Sequence, residues 1–295
     1  MTPLTTYHPP ITEVDNDAQV IYLWLSGLSP STQKTYTRTV NQFLSFVEKP
    51  LAKVLLEDLT RWVDLLFLKD YSQNSIALKV STIKSLFSYA WKIGYLSLNI
   101  AKAVKAPSGI SALHERILEQ PDVKALIEAA KVGRGATALA ERDRTLLTLI
   151  YATGLRATEV LSINWRDLRP RKEGGQVTVT GKGGKVRTVL ISQNLYQQLQ
   201  QLKRSNKTDA VFTTCRGNRL DRHQLHRIVK AAAEKAGINE HTSTHWLRHA
   251  HACHSLENGC DIDVLMRSLG HSSLTVTSKY LHARPNEGSS QFIDI

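Results

Sequence analysis

The second half of the chain contains four short segments whose side chains bind oxyanions or carry protons. In chain order these side chains are Arg156, Glu159, Lys182, His245, Arg248, His271 and Tyr280. Two guanidinium groups can grip the oxygens of a phosphodiester and stabilise the charge that develops during attack. A tyrosine hydroxyl can be the nucleophile, and a lysine or histidine can protonate the leaving oxygen. The set predicts phosphoryl transfer to a protein hydroxyl, and without a carboxylate cluster for Mg²⁺ we expect no metal and no cofactor.

Single members of this set also have ordinary interpretations. Arg156 could be a surface residue that pairs with Glu159. Lys182 could be a solvated turn residue, and Tyr280 could be an aromatic residue packed under a C-terminal helix. Only the ordered combination of these residues favours a catalytic site over these ordinary roles.

A zinc site is another interpretation of the histidines. His241, His245 and His249 follow one another at intervals of four residues, a spacing that zinc can use on a helix. The glutamate of a His-Glu-x-x-His motif is absent, however, and Arg248 would repel a divalent cation. We therefore expect no metal here.

Turns and helix ends must position the first three segments. Gly154 ends a predicted helix, so that Arg156 falls near the start of the next one. Lys182 lies in a glycine turn between two predicted strands, residues 176–180 and 186–191. The third segment places its histidine and arginine three residues apart, so that both share one helix face.

The fourth segment joins two helices. Gly270 ends one predicted helix, immediately before His271. Ser273 then offers an N-cap for a short helix that carries Tyr280. The tyrosine is thus expected on a separate helix from the third segment.

The rest of the chain predicts a mainly helical fold with a small β-hairpin or sheet. Apolar residues recur at three- and four-residue intervals up to residue 103, which indicates four or five helices in a bundle. A segment containing proline, serine and glycine follows. We expect a helical bundle over 17–103, a linker over 104–112 and a second domain over 113–295. The second domain should be helical again from the hairpin to about residue 281.

The overall charge favours an anionic partner. The 295 residues include 38 Lys and Arg against 26 Asp and Glu, a formal net charge of +12. Such an excess suits nucleic acid or an anionic membrane. The chain has no apolar run of bilayer length, no signal-peptide pattern and only three cysteines, so we expect a cytoplasmic protein with reduced thiols.

The ordered motifs resemble those of the tyrosine recombinase family, which includes phage integrases and Xer-like site-specific recombinases. The matching elements are Thr-Gly-Leu-Arg156-x-x-Glu159, Gly-Lys182-Gly-Gly-Lys185-x-Arg187, His245-x-Leu-Arg248-His249, Leu-Gly-His271 and Tyr280 nine residues later. The set covers residues 113–285. The preceding bundle fits the family's core DNA-binding domain in size and helix content, which makes 113–295 the expected catalytic domain.

The resemblance implies how DNA strands would be cleaved and rejoined. Arg156 and Arg248 would hold the scissile phosphate, with Glu159 supporting the first arginine. Tyr280 would attack, giving a 3′-phosphotyrosyl link and a free 5′-hydroxyl. Resealing by a second 5′-hydroxyl then needs no ATP.

Proton transfer falls to the other residues of the motifs. Lys182 would protonate the leaving oxygen, although Lys185 is a rival for this role. His245 and His271 would assist proton transfer and hydrogen-bond the phosphate. His249 is expected to be a buried histidine on a helix face.

The resemblance also implies partners. The family acts on a double-stranded DNA recombination site as a tetramer across two duplexes, so we expect a homo- or hetero-tetramer and no membrane partner. Integration, excision and dimer resolution remain open. Two alternatives use the same scaffold: a type IB topoisomerase-like nicking-closing enzyme, and a DNA-binding protein that does not cleave.

Overall fold

The computed structural model describes residues 14–107, 113–131, 137–203 and 208–283. The side chains of His114, Thr137, Lys182, His282 and Ala283 are outside that description. The chain divides into two compact units, Met1–Ser111 and Ala112–Ile295. Within the described ranges, no helix is both long enough and apolar enough to span a bilayer.

The first unit is helical throughout its described elements. Its α-helices are α1 (Asp17–Ser26), α2 (Pro30–Val47), α3 (Leu56–Leu68) and α4 (Gln73–Lys92). Ser72 is the N-cap of α4, and its hydroxyl accepts the Ser75 N–H. Phe43, Trp62 and Phe87 fill the core. The ring of Phe43 packs edge-to-face on the other two rings, at centroid distances of 5.1 and 6.2 Å.

A carboxylate fixes the start of α3. Asp58 accepts the Leu55 N–H at 3.0 Å. It also pairs with Lys49 and Arg61, each at 2.8 Å. The carboxylate thus satisfies a backbone donor that the helix itself leaves unpaired.

The second unit combines helices with one small sheet. Its helices in the described ranges are α5 (Gln120–Ala129), α6 (Thr137–Thr153), α7 (Ala157–Ser162), α8 (Gln193–Gln201), α9 (Arg222–Lys235), α10 (Thr244–Glu257), α11 (Ile262–Leu269) and α12 (Leu274–Ala283). Its strands are β1 (Leu168–Arg171), β2 (Gly174–Thr180) and β3 (Val186–Ile191). They form an antiparallel sheet in the order β1-β2-β3.

The β2–β3 hairpin is the element that was expected around the glycine turn. Val177 pairs with Val189 and is fully buried. The turn closes through the Gly181 N–H, which donates to the Lys185 carbonyl at 2.7 Å. Gly183 has φ +76° within this turn, a conformation that glycine adopts without strain. The hairpin therefore ends in a tight glycine turn at residues 181–185.

The structure adds one strand to the expected elements of this unit and contradicts one expectation. Strand β1 was not predicted, because its sequence Leu-Arg-Pro-Arg has no apolar alternation; it is an edge strand with one buried residue. The chain is also not continuously helical after the hairpin. Between α8 and α9, Ala210 forms a β-bridge to Asn164 and Thr213 forms one to Arg219, with a turn at Gly217 (φ +78°).

Candidate active site

Arg248 on α10 occupies the centre of the site. Its side chain is buried, and its Nη2 donates to the Leu269 carbonyl at 2.9 Å, at the end of α11. Its Nη1 donates to the Gly154 carbonyl, at the end of α6. Burial, followed by the charge of Arg156, lowers the pKa of Arg248 to about 10, so that the group is still charged at neutral pH.

Glycines allow the two helix ends to approach this arginine. Gly154 has φ +61°, and a Cβ there would lie 2.5 Å from the Leu269 side chain and 2.6 Å from the His251 ring. Gly270 ends α11 with φ +65°. Both glycines were predicted as helix ends, and both backbone conformations belong to the left-handed region.

His271 is held in one tautomer by its two neighbours. Its Nε2 lies 2.9 Å from Arg248 Nη2, which can only donate, so Nε2 accepts. Its Nδ1 then donates to the Thr277 hydroxyl at 2.8 Å. Burial, with Arg248 and Arg156 adding repulsion, lowers the pKa of His271 to about 4. The imidazole is therefore neutral and fixed in orientation.

Arg156 precedes α7 and shares the Glu159 carboxylate with a second arginine. The Arg156 N–H donates to Glu159 Oε2 at 2.8 Å, and its Nη1 donates to Oε1 at 3.0 Å. Arg187 from β3 makes two further bonds to the same carboxylate, both at 2.9 Å. The Arg156 side chain is 33% exposed, so part of its guanidinium still faces solvent.

Glu159 is ionised in spite of its burial. Burial alone would raise its pKa, but hydrogen bonds from Arg187 and from the Arg156 backbone lower it to about 2. Arg187 also donates from Nε to the Ser268 carbonyl at 2.8 Å, which ties β3 to α11. The carboxylate is thus a fixed support between α7, the hairpin and α11.

Tyr280 on α12 is almost fully buried, with 6% of its surface exposed. Its hydroxyl lies 2.9 Å from His249 Nδ1. Its ring is nearly parallel to that of His271, at a centroid distance of 6.5 Å. Burial raises the pKa of Tyr280, and the charge of Arg248 opposes that shift. The phenol is therefore protonated in the free protein.

His245 occupies a more exposed position on α10. Its ring centroid lies 6.4 Å from that of His249. Partial desolvation, then Arg248 and Arg222, lower its pKa. The imidazole is therefore neutral near pH 7, and Arg248 follows it by three residues on the same helix.

Lys182 stands at the tip of the hairpin, in the short turn Lys182–Gly184. Its side chain lies outside the described part of the structure, and Lys185 is exposed. The choice between the two lysines therefore stays a prediction.

The zinc interpretation required three histidines on one helix. Helix α10 begins at Thr244, so His241 lies before it, and its side chain is 79% exposed. Among the described residues, no three His, Cys, Asp or Glu side chains are grouped so as to hold a metal ion. His241 therefore does not share helix α10 with His245 and His249.

Comparison with known proteins identifies the family. The model of the phage integrase family matches residues 116–287, and that of the phage integrase N-terminal SAM-like domain matches 20–94. The chain belongs to the phage integrase family of tyrosine recombinases. The recombinase is 31% identical over 267 residues to tyrosine recombinase XerC of Thermodesulfovibrio yellowstonii, with 87% of each chain covered. It is 32% identical over 269 residues to XerC of Pelobacter propionicus, with 87% and 86% covered.

Solved structures show the same fold. The recombinase resembles XerA recombinase at 25% identity, with a TM-score of 0.51 and 90% and 94% of the chains covered. It resembles a λ integrase dimer bound to a COC′ core site at 18% identity, with a TM-score of 0.75 and 92% and 95% covered. The predicted architecture, a helical N-terminal domain before a catalytic domain with a small sheet, is confirmed. The enzyme performs site-specific recombination by a tyrosine mechanism.

Sequence reasoning missed two residues of the recombinase site. The motif around Lys182 assigns no role to Arg187, although Arg187 binds Glu159 through two hydrogen bonds. The alternation of β3 was the available signal, because Arg187 faces inward between exposed neighbours. His249 was expected to be a packed histidine, yet it contacts Tyr280, which is 31 residues away.

Proposed function

We propose that Tyr280 attacks the scissile phosphate of a recombination site. The Tyr280 Oη–P bond forms as the P–O5′ bond breaks, which gives a 3′-phosphotyrosyl link. The leaving 5′ oxygen takes a proton from Lys182 at the hairpin tip. The reverse attack by a 5′-hydroxyl reseals the strand and releases the tyrosine, so that no external energy source is needed.

The observation that carries this proposal is the buried Arg248 beside His271 and Tyr280. Among the described residues, Arg248 forms no ion pair with a carboxylate; its hydrogen bonds go to two carbonyl oxygens and to the neutral His271. A guanidinium that is buried without a counter-ion is costly. An arriving phosphate would supply the missing charge.

The other residues complete the phosphate site in this proposal. Arg156 is held by Glu159 and keeps part of its guanidinium exposed, so it can clamp a second phosphate oxygen. His245 is neutral and can donate a hydrogen bond to the phosphate. His271 donates to Thr277 and accepts from Arg248, so it donates to the phosphate only once its proton has moved to Nε2. Glu159 supports the arginine and does not touch DNA.

The partner is double-stranded DNA, and its assembly is part of the proposal. Solved relatives in fold include XerH bound to its difH substrate and a λ integrase dimer bound to a core site. We infer that residues 17–103 and 113–295 both bind the duplex, and that four protomers join two duplexes. A cytoplasmic location stays a prediction.

Covalent trapping tests the proposal. The protein is incubated with a pool of nicked duplexes whose central segment is randomised, and covalent complexes are recovered on denaturing gels and sequenced. We expect wild type and Tyr22→Phe to form the complex, since Tyr22 is exposed in the first unit. We expect Tyr280→Phe to bind the recovered duplex without forming it. A trapped Tyr280→Phe would remove Tyr280 as the nucleophile.

Two additions to this assay separate the alternatives. We expect cleavage to persist in excess EDTA; its loss would indicate a metal mechanism. Supercoil relaxation without recombinant product from two recovered sites would favour the nicking-closing enzyme. Binding without cleavage by wild type would favour the non-cleaving protein.

A further inference from the structure

We propose that His249 is the proton acceptor for the Tyr280 hydroxyl during cleavage. This inference rests on the proposed function, because it assigns a partner to the nucleophile named there. The 2.9 Å contact between His249 Nδ1 and Tyr280 Oη carries it. The two side chains come from different helices, α10 and α12, so the contact exists only in the folded site.

The chemistry of the two groups fixes the direction of this hydrogen bond. Burial raises the pKa of Tyr280. Burial, followed by the nearby His245 and Arg248, lowers the pKa of His249 to about 4. Both groups are therefore neutral near pH 7. A phenolic O–H is a stronger acid than the N–H of a neutral imidazole, so the phenol donates and Nδ1 accepts.

The surroundings of His249 couple proton transfer to the arrival of DNA. The titratable and charged groups that face it are His245, Arg248, Arg116, His271 and Tyr280. The cations among them disfavour an imidazolium in the free protein. A phosphodiester bound at Arg248 adds a negative charge to this group and favours the imidazolium that proton transfer creates. Tyr280 thus keeps its proton until a phosphate is in place.

The proton balance distinguishes His249 from the leaving-group acid. In cleavage, the phenolic proton moves to His249 Nδ1 as the Oη–P bond forms, and Lys182 protonates O5′ as the P–O5′ bond breaks. In rejoining, the 5′-hydroxyl attacks phosphorus and gives its proton back to the neutral Lys182, and His249 returns its proton to the leaving phenolate as the Oη–P bond breaks. His249 therefore exchanges a proton with the phenolic oxygen of Tyr280, and Lys182 exchanges one with O5′.

Single-turnover cleavage of the recovered nicked duplex tests this role in His249→Ala and His249→Asn. Asparagine places an amide oxygen close to the position of Nδ1, so it accepts a hydrogen bond but takes no proton. We expect both variants to bind DNA normally and to cleave about 100-fold more slowly near pH 7. The deficit should shrink as the pH rises, because hydroxide then removes the phenolic proton. Full activity of His249→Asn, or a deficit that is constant with pH, would overturn the proposal.

A sulfur leaving group provides the second readout. A duplex with a 5′-bridging phosphorothiolate expels a thiolate, which needs no proton. We expect this substrate to restore cleavage by Lys182→Ala and to leave both His249 variants slow. Restoration of the His249 variants would place His249 on the leaving-group side and contradict the assignment. Absence of any covalent complex with wild type would instead contradict the proposed function.

Discussion

Asp58 in the first unit and Glu159 in the second have the same local role in different surroundings. Each carboxylate is the third residue of a helix and accepts the backbone N–H that precedes that helix. Each is buried, and each pairs with two cations. The shared motif shows that helix capping is one role of the carboxylate at this position.

The cations are where the two sites differ. Lys49 and Arg61 beside Asp58 are 41% and 68% exposed. Arg187 beside Glu159 is only 14% exposed. Withdrawing an arginine from water costs free energy that capping does not require. We infer that the Glu159 cluster has a second task, which is the fixed placement of Arg156 at the proposed phosphate site.

Neutralising each carboxylate tests this difference most strongly. Glu159→Gln leaves the largely buried Arg187 without its counter-ion, so we expect a loss of about 3–5 kcal/mol in the free energy of unfolding of the second unit. Cleavage should fall along with it. Asp58→Asn is the matched control and should cleave at the wild-type rate. Urea unfolding followed by hydrogen-exchange mass spectrometry measures each unit through its own peptides.

The pH dependence of stability sharpens the same comparison. The pKa of Glu159 falls from 4.5 to about 2 on folding, so its ionised form stabilises the fold fully above about pH 4.5. That contribution, about 3 kcal/mol, is lost as the pH falls from 4.5 towards 2. We expect the stability difference between wild type and Glu159→Gln to shrink across this window. A difference that is independent of pH would show that the carboxylate charge does not matter.

A glycine substitution tests the packing around Arg187 without touching a charge. A Cβ at Gly270 would lie 3.0 Å from Arg187 Nη1 and 3.2 Å from its Cδ. Gly237 has nearly the same φ, +66° against +65°, and open space around it. We expect Gly270→Ala and Gly237→Ala to lose about 1–2 kcal/mol each from backbone strain. Only Gly270→Ala should also slow cleavage; equal cleavage rates would break the link between Arg187 and the site.

The dependence of these stability differences on salt concentration is the smallest effect that we expect. The exposed cations around Asp58 are screened by dissolved ions, whereas the buried pair at Glu159 is screened much less. We expect high salt to reduce the stability difference between wild type and Asp58→Asn more than that between wild type and Glu159→Gln. Equal salt sensitivity in denaturation experiments would mean that the two sites are equally open to solvent.

Local sequence signals predicted the helices and turns that carry the site. They did not predict the contacts between those elements. Gly154 and Gly270 are predictable as helix ends because a helix commonly ends in a left-handed residue, which is usually glycine. The order of Arg156, Arg248 and Tyr280 along the chain indicated the family. Strand β1 was missed because an edge strand with a single buried residue has no alternation to detect.

Contacts between residues that are far apart in the sequence have no local pattern that predicts them. His249 and Tyr280 meet across two helices, and the sequence distance of 31 residues carries no period that links them. Arg187 reaches Glu159 from a strand 28 residues later.

The residue that carries the DNA decides the central claim most directly. The covalent complex from the trapping experiment is digested with nuclease and trypsin, and the peptide that retains a nucleotide is identified by mass spectrometry. We expect the modification on Tyr280, in the peptide that begins after Lys279, with a phosphodiester to a 3′ nucleotide end. A nucleotide on any other residue, or a link to a 5′ end, would contradict the mechanism.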